Sequence, residues 1–228
     1  SPSQYIDFVN KYGNSNYTVL GTVGWARDTR DSALWPTRGA SIKVNADAGL
    51  PGGSMQYYRL THQQTWFFPL SKDFTLMLNG ELGYADGYGK TKQLPFFQNF
   101  YMGGLGSVRG YDTSSIGPVD GSGNFIGGNR KVVANAEILF PFPGMKDNKS
   151  LRTSLFFDAG TLWNTSWTPG PNDPQTASNA SNGLRYSAGL ALTWLSPMGP
   201  MKFSIANPLK KEPNDKIQRF QFQLGASF

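Results

Sequence analysis

The sequence predicts an all-β protein, a transmembrane antiparallel meander β-barrel, and three observations support this fold class. Nine segments alternate between apolar and less apolar residues with a period of two, which is the pattern of a β-strand. Several segments reach about 11 residues, the length that a tilted strand needs to cross a bilayer. Aromatic residues make up 14% of the chain and recur near strand ends, as in the girdles of membrane barrels.

Bulk composition narrows the class of protein. In 228 residues, no apolar run approaches the roughly 20 residues of a spanning helix, which excludes a helical membrane protein. Composition alone leaves a soluble β-sandwich open. The formal charge is +6, but the basic residues form no long run or basic helix, so we expect no nucleic acid partner.

The amino-terminal segment, residues 1–16, is predicted to be an external loop segment. Within it, residues 3–11 are expected to form a short amphipathic helix with Tyr5, Phe8 and Val9 on one side. The chain starts at Ser1 without a leader-like segment, so we expect either a removed signal peptide or an excised fragment.

The nine predicted strands follow one another as a meander, and most have one polar face. Charged side chains recur on that face, where the core of a soluble protein would not tolerate them. We therefore expect Lys43, Asp47, Glu81, Arg152 and Arg185 to line a polar lumen. The first and third strands alternate less cleanly. The predicted strands cover residues 17–26, 40–48, 57–67, 74–84, 132–140, 151–159, 184–195, 201–206 and 220–228.

The connections alternate in length. Short turns at residues 141–150 and 196–200 contrast with long Gly- and Asn-rich loops at residues 88–129 and 164–183. Short periplasmic turns and long external loops are typical of outer-membrane barrels, so the chain is expected to end on the periplasmic side. Bacterial barrels usually have an even number of strands, and nine strands therefore suggest an incomplete barrel.

The most informative connection is the Gly-rich segment 88–129. Its glycines permit tight packing and positive φ angles. On residue types alone it is a mobile external loop with one solvated arginine. However, Val108, Arg109, Gly110 and Tyr111 closely resemble the conserved Val-Arg-Gly-Phe or Val-Arg-Gly-Tyr motif in loop six of the outer-membrane assembly-factor superfamily. The Gly-Pro at 117–118 and the Gly-Gly-Asn at 127–129 resemble that family as well.

The resemblance implies a sixteen-stranded barrel, of which this chain would hold about nine strands, and a loop that folds back into the lumen. Residues 88–129 are called loop six below. In the family, the arginine of the motif contacts a strand motif that Phe156, Asp158 and Gly160 match here. The alternation independently puts Phe156 and Asp158 on the polar face. We therefore expect Arg109 to pair with Asp158 and to stack on Phe156, as a lock for the loop. The alternative is two unrelated, solvated charges.

The end of the chain, residues 218–228, is predicted to be a terminal seam strand. Its strict alternation and aromatic end resemble the signal by which barrels are recognised for assembly, although a simple last strand would look the same. The resemblance implies a short, weak seam with the first strand of the barrel, and an inward kink at Gly225. The candidate seam residues are Phe220, Phe222, Leu224, Gly225 and Phe228.

The function implied by the resemblance is the assembly and insertion of other barrel proteins. The implied partners are outer-membrane lipids, nascent outer-membrane barrel proteins, accessory assembly lipoproteins in the intact parent and possibly a second copy of the chain. The family's periplasmic POTRA domains have no counterpart in this sequence. A two-partner secretion type translocator or a passive outer-membrane pore stays open, since a polar lumen suits conduction equally.

An outer-membrane hydrolase is a third alternative. Its chemistry would require an activated nucleophile or water and normally a histidine base. The sole histidine, His62, has no Asp or Glu within several residues, so we expect a structural or lumen-facing side chain. One His and no Cys also leave too few metal ligands. We therefore expect no enzyme activity, no catalytic residues, no metal and no cofactor.

Overall fold

The computed structural model describes residues 3–120, 122–144, 150–166 and 183–225. It contains one helix, a short 3-10 helix (Phe96–Gln98) and eleven strands. Within the described ranges, no helix has the length and apolar character to span a membrane. The elements are α1 (Ser3–Tyr12), β1 (Val19–Asp28), β2 (Gly39–Leu50), β3 (Tyr57–Pro69), β4 (Thr75–Gly87), β5 (Gly110–Tyr111), β6 (Arg130–Pro141), β7 (Leu151–Trp163), β8 (Arg185–Ser196), β9 (Gly199–Lys210), β10 (Ile217–Gln218) and β11 (Phe220–Leu224).

Nine of these strands form one antiparallel sheet in the order β1-β2-β3-β4-β6-β7-β8-β9-β11. Strands that neighbour one another in the sheet also follow one another along the chain, so the predicted nine-stranded meander is confirmed. The two short strands β5 and β10 pair with each other outside this sheet. Between β4 and β6, loop six crosses one face of the sheet.

The two faces of the sheet differ in chemistry. The inner face is defined as the one that loop six covers, and it carries all five charged residues expected in the lumen. The outer face exposes a broad apolar band, which is the surface that a lipid environment requires. The exposed outer side chains include Val23, Trp25, Leu60, Trp66, Leu82, Tyr84, Ile138, Leu155, Phe157, Leu190, Trp194 and Ile205.

The buried apolar cluster lies between loop six and the inner face, at the end of the sheet where α1 packs. Its members come from the loop, from α1 and from strand ends. This placement means that the loop, and not a second sheet, supplies the core. The cluster contains Phe8, Met55, Tyr57, Ala85, Leu94, Phe100, Met102, Val108, Tyr111, Ile116, Val133 and Leu162.

The amino-terminal helix differs from the expectation in one respect. Phe8 is buried and Tyr5 stacks on Phe96 at 4.0 Å between ring centroids, as an amphipathic helix requires. Val9, however, is 42% exposed, so its assignment to the packed side is wrong. The packed side of the helix is centred on Gln4, Phe8 and Tyr12, which are four positions apart, and Val9 lies one position beyond this line, toward solvent.

His62 does not face the lumen. In β3 it stands opposite Val44 of β2 and Leu82 of β4, both on the outer face. Its Nε2 atom lies 3.3 Å from Oε1 of Gln64, which is the next outward residue of the strand. The lumen expectation was wrong because β3 has polar residues on both faces, and only the register with its neighbours settles its orientation.

The last two strands also depart from the predicted bounds. Strand β9 extends to Gly199–Lys210, which reduces the turn after β8 to two residues. The predicted seam strand starts later than expected: within the described residues Phe220–Leu224 pair with β9, whereas Gln218 belongs to β10 and pairs with loop six. Phe228 lies outside the described residues, as do residues 145–149 and 167–182 of two predicted connections.

Candidate functional site

Loop six is a folded structure and not a mobile segment with a solvated arginine. Antiparallel bridges join Phe100 to Gly128 and Met102 to Ile116, so the two arms of the loop pair with each other. Arg59 of β3 lies over the ring of Phe100 at 4.4 Å, which fixes the first arm on the inner face. This packing places the motif that begins at Val108 against the inner face of the sheet.

The structure brings Arg109 and Asp158 into direct contact. Nε of Arg109 donates a hydrogen bond of 2.7 Å to Oδ2 of Asp158, and Nη2 donates another of 2.7 Å to Oδ1. The backbone N–H of Arg109 donates a third, of 3.0 Å, to Oδ2. Because the fork geometry is bidentate and both groups are buried, this contact fixes the orientation of the loop as well as its position.

Two further residues of β6 complete the charge cluster, and sequence reasoning did not assign them to it. Nη2 of Arg109 lies 2.6 Å from Oε1 of Glu137. Nδ2 of Asn135 donates to Oδ1 of Asp158 at 2.8 Å and to the carbonyl of Ser107 at 2.7 Å. Burial on its own would lower the pKa of Arg109, but the two carboxylates outweigh it and raise the pKa, so the arginine stays charged.

Phe156 packs against the guanidinium from the strand side. Its ring centroid lies 3.5 Å from Cζ of Arg109, a cation–π contact with a desolvated cation. Room for this ring comes from Gly189 on β8, where an added Cβ would approach Phe156 to 2.8 Å. The aromatic residue, the glycine and the arginine therefore form one packed stack.

Gly160 and Val108 explain how the loop comes so close to β7. A Cβ added at Gly160 would lie 2.9 Å from Val108 and 2.8 Å from the sulfur of Met102. Val108 is fully buried in this contact. The three predicted motif partners thus have different roles. Asp158 binds the guanidinium of Arg109, Phe156 covers that guanidinium, and Gly160 leaves space for Val108 and Met102.

Gly110 and Tyr111 reach the carboxy-terminal strands. Together they form β5, which pairs with β10, and Gly110 adopts a φ of +90° that favours glycine. A Cβ on Gly110 would stand 3.0 Å from Cβ of Ala206 in β9. The buried Tyr111 hydroxyl donates to the carbonyl of Lys210 at the end of β9. The motif therefore contacts β7 on one side and β9 on the other.

The candidate seam residues lie away from this cluster. Phe220, Phe222 and Leu224 point to the outer face and are more than half exposed. Phe222 packs on Phe203 of β9 with 5.0 Å between ring centroids. Gly225 ends the strand with a φ of +74°, and its N–H donates to the carbonyl of Pro200.

Comparison with known proteins identifies similar sequences and structures. A model of the Omp85 superfamily domain matches residues 2–228. Outer membrane protein assembly factor BamA of Neisseria meningitidis is 54% identical, with 100% of this chain and 32% of that protein aligned. Human sorting and assembly machinery component 50 homolog is 27% identical over 88% of this chain and 44% of that protein.

A solved structure agrees with the fold described above. The crystal structure of BamA from Haemophilus ducreyi lacking POTRA domains 1-3 superposes with a TM-score of 0.87 and 32% sequence identity. The match covers 97% of this chain and 47% of that one. The chain therefore spans less than half the length of these relatives.

Proposed function

The chain belongs to the Omp85 superfamily and to the bacterial outer membrane, and on this premise we propose that it takes part in assembling and inserting other β-barrel proteins into that membrane. Two relatives with similar sequences are an outer membrane protein assembly factor and a sorting and assembly machinery component. The proposed mechanism uses no covalent chemistry. It depends on a strand edge that an incoming β-hairpin can join.

The observation that carries this proposal is the weak attachment of the terminal strand. Within the described residues, strand β11 pairs with β9 over five residues, whereas β3 and β4 pair over thirteen. A short edge strand has few backbone hydrogen bonds to lose. It can separate from its neighbours, or accept a new partner, at a lower free-energy cost than any long strand of the sheet.

The outer surface supports a second part of the mechanism. Within the described residues, the apolar face of β11 consists of Phe220, Phe222 and Leu224, and is much shorter than that of β4, which has thirteen residues. Beside a short apolar face, the bilayer becomes locally thinner, so that its hydrocarbon thickness matches the length of that face. We propose that this local thinning lowers the barrier to insertion of a substrate strand.

In this proposal, the partners are outer-membrane lipids and nascent barrel proteins, with accessory assembly lipoproteins in the complete machinery. The Arg109–Asp158 cluster acts as a lock that holds loop six on the inner face and takes no part in catalysis. Both charges are already bound by protein groups, which suits a structural role.

The experiment is to introduce Arg109→Ala and Asp158→Ala separately into the chromosomal copy of the parent protein. We expect each to lower the amount of folded outer-membrane barrel proteins, measured by heat-modifiable electrophoresis. Lys72→Ala, in the exposed turn between β3 and β4, is the charge-removing control. Normal barrel assembly with both cluster variants would overturn the proposed role of the lock.

Ion conductance in planar bilayers separates this function from a passive pore or secretion translocator. Loop six lies across the inner face above a cavity of about 380 Å³. We therefore expect a closed or flickering conductance. A large, steady conductance with loop six in place would instead favour the pore.

A further inference from the structure

Strand β11 is attached to the inner side of the protein by a polar side chain. Gln221 is only 4% exposed, and it is the one buried residue of this strand. The apolar residues on either side of it, Phe220 and Phe222, face outward and are exposed. An apolar anchor would be the common solution for a terminal strand, so the buried amide requires an explanation.

The amide of Gln221 is bonded to the loop-six motif. Its Oε1 accepts from the backbone N–H of Gly110 at 3.2 Å, and its Nε2 donates to the carbonyl of Tyr111 at 2.7 Å. The same two residues of the loop pair with Ile217 and Gln218 of β10. The loop motif is thus held between the backbone of β10 and the side chain of Gln221.

These bonds differ in kind from the apolar contacts of the outer face. Each is directional, and each satisfies a backbone group in a buried place. If β11 moved away, the N–H of Gly110 would lose the Gln221 acceptor and the carbonyl of Tyr111 would keep the bond from the N–H of Gly104 alone, while the exposed Phe220 and Phe222 would lose little burial. The attachment of β11 therefore depends strongly on the position of the loop.

The loop and the segment before β11 are joined at further points. The N–H of Asp112 donates to the carbonyl of Lys216 at 2.8 Å, and the Ser115 hydroxyl donates to the same carbonyl at 3.2 Å. Arg185, the first residue of β8, forms a buried ion pair with Asp215 of the segment before β10 and holds that segment in place. A displacement of the motif would therefore be transmitted to β10 and, through Gln221, to β11.

We propose that Gln221 is a positioning residue that couples the lock to the terminal strand, so that release of Arg109 from Asp158 also loosens β11 from β9. The two sites that sequence analysis treats separately, the loop-six lock and the seam, then form one device. The role of this coupling rests on the proposed function, because barrel insertion requires a terminal strand that can separate from its neighbour. The coupling itself is a physical property that can be measured without any substrate.

The test is hydrogen–deuterium exchange of the protein reconstituted in phospholipid vesicles. Gln221→Leu is expected to speed exchange at Phe222–Leu224 and at Gly110–Tyr111 by about tenfold or more. Gln223→Leu is the matched control, since Gln223 has the same side chain on the same face of the strand but is exposed. Gln221→Glu keeps the acceptor for Gly110 but sets a buried carboxylate oxygen against the carbonyl of Tyr111, so it should speed exchange at least as much as Gln221→Leu.

A double-mutant cycle distinguishes coupling from simple loss of packing. Arg109→Ala should speed exchange in β11 when Gln221 is present, and should add little to it in the Gln221→Leu background. Protection of β7 in all variants shows that the sheet is folded. Additive effects, or equal effects of Gln221→Leu and Gln223→Leu, would overturn the coupling. Barrel assembly that stayed normal despite a demonstrated coupling would count against the proposed function alone.

Discussion

Asp158 on β7 receives three hydrogen bonds from Arg109, one from its backbone and two from its guanidinium. A fourth comes from the amide of Asn135 on β6. The carboxylate is fully buried, and these four donors replace the water that it loses. The cluster is therefore stable when complete, and removal of either charged partner should cost much of the free energy of unfolding.

Arg109→Lys should release loop six although the charge is kept. A lysine ammonium cannot form the bidentate fork or the planar stack on Phe156 that Arg109 forms. We expect limited proteolysis within residues 88–129 to become at least about tenfold faster, as for a loss of more than about 1.4 kcal/mol. Arg38→Lys, in an exposed turn, is the control. Unchanged cleavage would show that charge alone holds the loop.

Asp158→Asn should cost more stability than Glu137→Gln. Asp158 holds Arg109 through three bonds and is fully buried, whereas Glu137 makes one contact and keeps 13% of its side chain exposed. Disrupting one side of a buried pair costs about 3–5 kcal/mol. We expect a loss of that order for Asp158→Asn and less for Glu137→Gln, from urea unfolding in lipid vesicles. The reverse order would mean that Glu137 is the principal partner.

Gly110→Ala should displace the loop tip, whereas Gly106→Ala should not. Gly110 has a positive φ and lies against Ala206 and Pro208, while a Cβ on Gly106 meets nothing within 4 Å. We expect a destabilisation of about 1–3 kcal/mol from strain at Gly110, again from unfolding in vesicles. Equal stability of the two variants would contradict the close packing of β5 on β9.

His62→Arg tests the orientation of β3. Because His62 lies on the outer face within the apolar band, an arginine there should cost about 2–4 kcal/mol of unfolding free energy in a bilayer. Gln63→Arg places the same side chain on the inner face and should cost little. If the two costs were equal, or their order reversed, the register assigned to β3 would be wrong.

The sheet could be predicted from the sequence because strand alternation is a local signal. In β7 and β8, apolar residues at every second position specify both the strand and its outward face. In β3, polar residues occupy both faces, so the local signal fails, and the lumen-facing alternative for His62 is wrong. The bounds of β9 and the start of β11 could not be predicted either, because the pairing with neighbouring strands sets them and composition does not.

The contact between Arg109 and Asp158 was expected from motif resemblance, whereas its other members were not. Glu137 enters the cluster because the antiparallel register sets it opposite Phe156 and sets Asn135 opposite Asp158. A register relates residues that are far apart in the chain, and no local pattern contains it.

By itself, the sequence determined the membrane-spanning meander and its polar inner face, because both depend on residue types at short spacing, and the resemblance of two motifs to a known family indicated that they meet there. The tertiary structure alone decided the outward position of His62, the full set of charges around Arg109 and the attachment of β11 through Gln221. The position of His62 depends on the register of β3 with its neighbouring strands. The other two features depend on how loop six packs against strands that lie up to about a hundred residues away in sequence, which only the complete fold specifies.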